Sequence, residues 1–204
     1  MISVIIPNKG ESNLDEVIRQ IKRVLPCEII ISDGTLGKGA ALKNGSQQAK
    51  GDFIVWLDGD LQIHPREILT FTRIMTMYDA DAVVGNKRHS FSITHYSLIR
   101  RIVSQSYNFL VRALFGFNLR DTQCGLKLFK AEALKAILPD VVSKGFAFDL
   151  EVLVALHRRN YRIADAPVLI LPQANAGSVS LGTILKTFWE TMRIWRKRKN
   201  NDKF

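Results

Sequence analysis

Cysteine is scarce in this chain: of 204 residues, only Cys27 and Cys124 carry a thiol. They lie far apart, and neither has a second Cys or a His at metal-ligand spacing, which excludes a disulfide framework and a zinc site as organising devices. Two isolated thiols suit a reducing compartment. Long apolar runs are missing as well. No stretch reaches the roughly 18 residues that read as a membrane-crossing helix. The chain opens into Ile2-Ser3-Val4-Ile5-Ile6 without the basic, apolar and cleavage regions of a secretory signal. A soluble or peripheral protein on the cytoplasmic side is therefore expected. Internal repeats, low-complexity tracts and dividing linkers are also lacking, so one domain is expected.

Acids are outnumbered. The chain has 19 Asp and Glu against 29 Lys and Arg, a formal charge of +10, which calls for an anionic partner such as phosphate, anionic lipid or nucleic acid. The excess is uneven: it is concentrated between Lys186 and Lys203, where the only acids are Glu190 and Asp202, and again from Lys87 to Arg112. No recognisable module interleaves aromatic and basic residues, so no nucleic-acid partner is expected.

What is present is a regular alternation of short β-rich runs with amphipathic helical stretches. The 47% apolar content is enough for a sizeable core. Ile2–Pro7, Glu28–Ser32 and Phe53–Leu57 read as buried strands, and Ala82–Val84 as a fourth. Helices are predicted from Ser12, an N-cap candidate, to Leu25, over Lys38–Lys50, from Pro65 to about Tyr78, from Tyr96 to about Phe115 and over Asp149–Arg158. Tyr161–Leu171 reads as an edge strand broken by Pro167, and an amphipathic helix runs from Leu181 into Arg196-Lys197-Arg198-Lys199. Strand–helix–strand alternation predicts an α/β fold with a mainly parallel sheet.

In such a sheet, ligands bind beyond the carboxyl ends of the strands. Pro7-Asn8-Lys9, Asp33-Gly34-Thr35 and Asp58-Gly59-Asp60 occupy three of those ends. The third is the most informative. Two carboxylates one residue apart at the end of an apolar strand repel each other unless a cation joins them. A hard divalent ion shared with substrate phosphates meets that need, and Gln62 offers a neutral oxygen. Asp-Gly is also a common turn pair, so the pattern acquires weight only from its context.

That context resembles the family 2 glycosyltransferases. The resemblance runs through Ser3-Val4-Ile5-Ile6-Pro7, Glu28-Ile29-Ile30-Ile31-Ser32-Asp33, Gly37-Lys38-Gly39-Ala40-Ala41 and Asp58-Gly59-Asp60-Leu61-Gln62. Asp121-Thr122-Gln123-Cys124-Gly125-Leu126-Lys127-Leu128-Phe129 and Gly145-Phe146-Ala147-Phe148-Asp149-Leu150-Glu151 are similar to segments of dolichol-phosphate mannose synthases and related polyprenyl-phosphate glycosyltransferases. The resemblance implies a GT-A, Rossmann-like nucleotide-diphospho-sugar transferase fold over 1–182, with 183–204 a basic amphipathic helix of the same domain or a membrane-surface anchor. It implies metal-dependent, inverting transfer of mannose or glucose from GDP-mannose or UDP-glucose to a polyprenyl phosphate. A soluble transferase with a glycan or small hydroxyl acceptor, and a member that binds without turnover, are the alternatives.

Residue by residue, the resemblance places Pro7, Asn8, Asp33, Lys38, Asp58 and Arg88 at the donor. It places Asp58, Asp60 and Gln62 on Mg²⁺ or Mn²⁺. Arg100, Ser104, Gln123 and Lys127 fall to the acceptor, with Asn108 on the same helix, and Asp60, Asp121 and Lys127 to the reacting centre. A phosphate acceptor is already an anion, whereas a hydroxyl acceptor needs a base, for which Asp121 and Asp149 are the candidates. Two departures from the family pattern stand out. The chain is short between Asp33 and Gly37, and around Gly177 it lacks the Arg and the Ser-Lys pair common in the family.

Overall fold

The structure, a computed structural model, describes residues 1–10, 13–92, 98–116, 119–145, 147–171 and 181–201; the side chains of 98–104, 181, 183–185 and 197–201 lie outside this description. The elements follow in the order β1 (Ile2–Asn8), α1 (Leu14–Val24), β2 (Glu28–Asp33), α2 (Lys38–Gln48), β3 (Phe53–Leu57), α3 (Glu67–Met77), β4 (Ala82–Asn86), α4 (Leu98–Phe115), β5 (Leu126–Lys130), α5 (Ala131–Ile137), α6 (Phe148–Arg158), β6 (Ile163–Pro167) and α7 (Leu181–Asn201). The N-cap expected at Ser12 lies outside the described residues.

One sheet carries the fold, with strand order β2-β1-β3-β5-β4-β6. β1 runs parallel to β2 and β3, and β4 parallel to β6, while β5 is antiparallel to both of its neighbours, β3 and β4. This is the mainly parallel α/β sheet that the sequence predicts, with one reversed strand. Side chains alternate across it. Ile5, Ile54, Trp56, Val84 and Phe129 enter one core layer, which α4, α5 and α6 complete. Val4, Ile6, Val55, Leu57, Val83 and Leu128 enter the other, closed by α1 and α3. Covered on both faces, the central strands read as continuous apolar runs rather than as alternation.

Periodicity did not identify β5. Leu126-Lys127-Leu128-Phe129-Lys130 is short and places a lysine in the middle of a core strand, which argues against burial until the partner of that lysine is known. The expected Tyr161–Leu171 strand is shorter, Ile163–Pro167, and lies at the sheet edge, where a proline with no N–H to donate is tolerated.

Among the described residues, no helix is long and apolar enough to cross a membrane. α7 lies against α4. Thr191 and Ile194 are buried, and the Thr191 hydroxyl meets the Tyr107 hydroxyl at 2.9 Å. Phe188 and Trp189 face outward.

Candidate active site

The reversed strand determines which loops meet. β1, β2, β3 and β4 all end at one edge of the sheet, and β5, running the other way, begins there. Leu57 pairs with Leu126, and the Asp58 N–H donates to the Gly125 carbonyl at 3.0 Å. The segment Asp121–Gly125 is thereby laid beside Asp58-Gly59-Asp60. Gly125 permits the approach: a Cβ there would overlap the Asp58 carboxylate.

Asp58 and Asp60 diverge from the end of β3. Asp60 Oδ1 accepts the Gln62 N–H at 3.0 Å, which curls the loop, and Leu61 takes a left-handed φ of 57° within it. Burial pushes the Asp60 carboxyl above the usual range; the Gln62 N–H opposes this, and the Asp58 charge adds to it.

Asp58 already has a cation. Lys38 Nζ stands 2.6 Å from Asp58 Oδ1. Lys38 owes its place to the two glycines around it. Gly37, at φ 110°, and Gly39 let α2 begin close against Lys144 and Phe148, where side chains would strike the Lys144 carbonyl and the Phe148 ring. The Gly39 and Ala40 N–H groups donate to the Lys144 carbonyl at 2.9 and 3.3 Å, so a main-chain oxygen satisfies the first turn of the helix. Burial alone would lower the Lys38 pKa, but Asp58, with Asp149 and Asp60 behind it, raises it overall.

Asp58 and Asp60 open onto a cleft of about 150 Å³ lined also by Gln62, Lys87, Gln123 and Gly125 among others. A larger hollow, about 420 Å³, lies between α1 and α3 and holds none of the strand-end residues. Asp121 sits behind the cleft and ties its two walls. Its Oδ1 accepts the Gln123 N–H at 3.0 Å, and its Oδ2 accepts the Lys87 N–H at 3.3 Å and lies 3.6 Å from Lys87 Nζ. Arg88 is half-buried, with its N–H on Asn86 Oδ1 at 2.9 Å. Burial lowers its pKa, and Asp121 works in the opposite direction.

Pro7, Asn8 and Asp33 meet at the neighbouring strand ends, where Asn8 and Asp33 are in register. The Gly34 N–H donates to the Asn8 carbonyl at 2.7 Å. The Asp33 carboxylate is exposed and holds the Thr35 N–H and hydroxyl at 2.8 and 2.9 Å, which keeps its pKa below the usual value. The loop that is short in sequence is thus closed by its own hydrogen bonds. Arg100 and Ser104 lie on α4 among the side chains outside the description, as does the region around Gly177. Asn108 is buried on the same helix.

Lys127, which the resemblance places toward the reacting centre, has a side chain that is 1% exposed. Its ammonium lies 2.5 Å from Asp149 Oδ1 and donates to the Cys124 carbonyl at 2.7 Å. Asp149, a candidate base, is consumed in the same pair. Glu151, also buried, accepts the Val142 and Ser143 N–H groups at 3.1 and 2.7 Å and holds that turn. Lys87 is the cleft residue that the sequence reading passed over in favour of Arg88. Its signal was its position one residue beyond the end of β4.

Among the described residues, no three His, Cys, Asp or Glu side chains gather as a metal site. The two carboxylates and the Gln62 amide offer a partial set of hard oxygens on one cleft. Such a set suits a divalent ion whose remaining positions are filled by phosphate oxygens and water.

Comparison with known proteins agrees with this geometry. The model of glycosyl transferase family 2 matches residues 4–138. The chain is 32% identical over 164 residues to glycosyltransferase AglD of Haloferax volcanii, covering 80% of this chain and 26% of that protein. It is 30% identical over 141 residues to a dolichyl-phosphate beta-glucosyltransferase of Dictyostelium discoideum, covering 65% of this chain and 42% of that one. The chain therefore spans less than half the length of either relative. Among solved structures, glucosyl-3-phosphoglycerate synthase from Mycobacterium tuberculosis in complex with UDP superposes with a TM-score of 0.73 at 16% identity, over 96% of this chain and 80% of that one. Its complex with Mn²⁺, UDP and phosphoglyceric acid gives the same TM-score and identity over 96% and 78%. At this identity the likeness speaks for the fold. The matched span runs from β1 through the Asp58–Asp60 loop and Asp121–Gly125 to α5, and on that ground the chain belongs to glycosyltransferase family 2.

Proposed function

We propose that this chain transfers a glycosyl group, glucose in the first instance, from a nucleotide sugar to a polyprenyl phosphate. The observation that carries the reading is the cleft of about 150 Å³ at the strand ends, which Asp58, Asp60 and Gln62 line together with Lys87 and Gln123. The acceptor and the sugar are suggested by the Dictyostelium relative's name and by that of a 27% identical dolichyl-phosphate beta-glucosyltransferase of Trichomonas vaginalis. The synthase solved with Mn²⁺ and UDP-glucose favours UDP-glucose over GDP-mannose as donor.

In this reading Asp58, Asp60 and Gln62 would hold Mg²⁺ or Mn²⁺, which when bound supplies positive charge to the departing nucleoside diphosphate. Lys38 and Lys87 add two ammonium groups beside it. Asp121 fixes Lys87 by its backbone and its side chain, and Lys127 fixes the Cys124 carbonyl and with it the turn into β5. A phosphate acceptor is already ionised and needs no base. That agrees with the engagement of both carboxylates that the sequence offers as a base, Asp149 with Lys127 and Asp121 with Lys87. We take the transfer to be a single inverting displacement.

The test is transfer of labelled sugar from UDP-glucose and from GDP-mannose to a short polyprenyl phosphate, with Mg²⁺, Mn²⁺ or EDTA. Label should pass from UDP-glucose, stop with EDTA, and fall by about a hundredfold or more in Asp60→Asn. If UDP binds but no lipid is labelled from either donor, the acceptor assignment is wrong, and a hydroxyl acceptor or a binding role takes its place.

The exposed face of α7 extends the proposal to the membrane. Lys186, Trp189, Arg193 and Arg196 recur at helical spacing on the exposed side, with Phe188 beside them, opposite buried Thr191 and Ile194. An aromatic and basic stripe suits the surface of an anionic bilayer, each basic residue contributing about 1 kcal/mol there. It would hold the chain on the cytoplasmic face, where a lipid acceptor is presented. Flotation with phosphatidylserine vesicles is expected at low salt, weakened by added salt and by Trp189→Ser. Equal flotation with neutral vesicles, or none at all, would leave α7 as a helix that only packs on α4.

A further inference from the structure

The contact between Lys38 and Asp58 has a consequence for how the site fills. The cation that the paired carboxylates require is supplied here by the protein itself: Lys38 Nζ lies 2.6 Å from Asp58 Oδ1, with side chains 21% and 34% exposed, respectively. Asp58 lines the cleft, and Lys38 stands partly exposed beside it. The main chain of Lys38 is fixed, because Gly37 and Gly39 seat the start of α2 against the Lys144 carbonyl and Phe148. The main chain of Asp58 is fixed by its bond to the Gly125 carbonyl. The four-carbon stem of the lysine can still swing. A divalent ion arriving alone at Asp58 would therefore meet an ammonium already in place and be repelled by it.

Building on the donor site proposed above, we infer that Lys38 is the resident counter-cation of Asp58 in the free protein. The diphosphate of a nucleotide sugar draws it off, so that metal and nucleotide bind as a coupled pair rather than one by one. The diphosphate offers the ammonium a second anionic partner next to the first. Once Lys38 turns to it, Asp58 is released to the metal. Lys38 thus serves Asp58 before the donor binds and the diphosphate afterwards. Coupling of this kind is reciprocal: UDP tightens Mn²⁺ by the same factor as Mn²⁺ tightens UDP.

The test measures binding and needs no turnover. Mn²⁺ affinity is followed by the paramagnetic resonance signal of the free ion, with and without UDP, on the full chain, corrected for Mn²⁺–UDP association in solution. Wild type is expected to bind Mn²⁺ alone weakly and to gain about tenfold or more with UDP, within the usual range of coupling between sites. Lys38→Met removes the resident cation, so Mn²⁺ alone should bind about tenfold more tightly and the gain from UDP should shrink by a similar factor. Lys38→Arg keeps a cation at Asp58 and should keep most of the coupling, which separates the charge from any loss of packing. Unchanged or weaker binding of Mn²⁺ alone in Lys38→Met, with wild type still binding Mn²⁺ and UDP together, overturns the inference and leaves the donor site standing. If wild type binds Mn²⁺ neither alone nor with UDP, the donor reading itself fails.

Discussion

Lys127→Met is expected to lower the unfolding free energy by about 3–5 kcal/mol, among the largest effects available to a single substitution in this chain. The reason is what it leaves behind. Lys127 and Asp149 are both nearly inaccessible and lie 2.5 Å apart. Removing the ammonium strands a carboxylate in the core and leaves the Cys124 carbonyl without its donor. Urea unfolding should show the loss, with the melting temperature falling by roughly 10 °C. The double variant Lys127→Met, Asp149→Leu removes both charges and should recover much of the stability, because a well-packed apolar pair is often as stable as a buried ion pair. If the single variant lies within about 1 kcal/mol of wild type, the pair does not have the buried character described here. If the double variant is as unstable as the sum of the two single ones, the stability resides elsewhere than in their mutual charge.

On the function proposed above, Gly125→Ala should leave the fold largely intact and reduce sugar transfer by about a hundredfold, the scale of a 1 Å misplacement at a reacting centre. A Cβ at this position would come within 2.7 Å of Asp58 Cγ and 3.1 Å of its Cβ. The Asp58 backbone cannot retreat, because its N–H is bonded to the Gly125 carbonyl and Leu57 is in register with Leu126. The carboxylate must rotate, which pulls Asp58 away from Lys38 and from Asp60. Gly125 has no left-handed φ, so the cost is steric and local. The measurement is kcat and KM for transfer beside a thermal melt. A loss confined to kcat and metal-dependent donor binding, with the melting temperature within about 5 °C of wild type, is the expected outcome. Wild-type kinetics would mean that the Asp58 carboxylate needs no fixed position there.

The two predictions concern residues from one segment, 121–130, and that segment also marks where sequence reasoning reached its limit. Its similarity to polyprenyl-phosphate transferases was visible in Asp121-Thr122-Gln123-Cys124-Gly125, but its geometry was not. β5 pairs with β3 and β4, both distant in sequence, and periodicity reports how a strand is buried, not which strands flank it. Lys127 on a strand of alternating leucines reads equally as a solvent-facing or cleft-facing cation. Only the position of Asp149, on the first turn of α6, turns it inward. Lys87 was overlooked for a related reason. An arginine next to a lysine at the end of a strand is the more specific phosphate ligand on chemical grounds, and the folded loop gave the cleft to the lysine.

By itself, the sequence determined the α/β class and the strands β1 to β4, which run in one direction. It also determined the clustering of Asp33, Asp58 and Asp60 at their carboxyl ends. Each follows from local causes: unbroken apolar runs need cover on both faces, helices between them force parallel crossovers, and crossovers place the strand ends on one edge. Tertiary structure alone decided that β5 inserts in reverse, bringing Gly125 beneath Asp58. It also decided that Lys127 is buried against Asp149, and that Lys38 rather than solvent faces Asp58. Those outcomes depend on pairings across distant parts of the chain. A charged side chain is solvated, buried or poised at a cleft according to the partner it meets there, and neither its own neighbours nor its spacing encodes that partner.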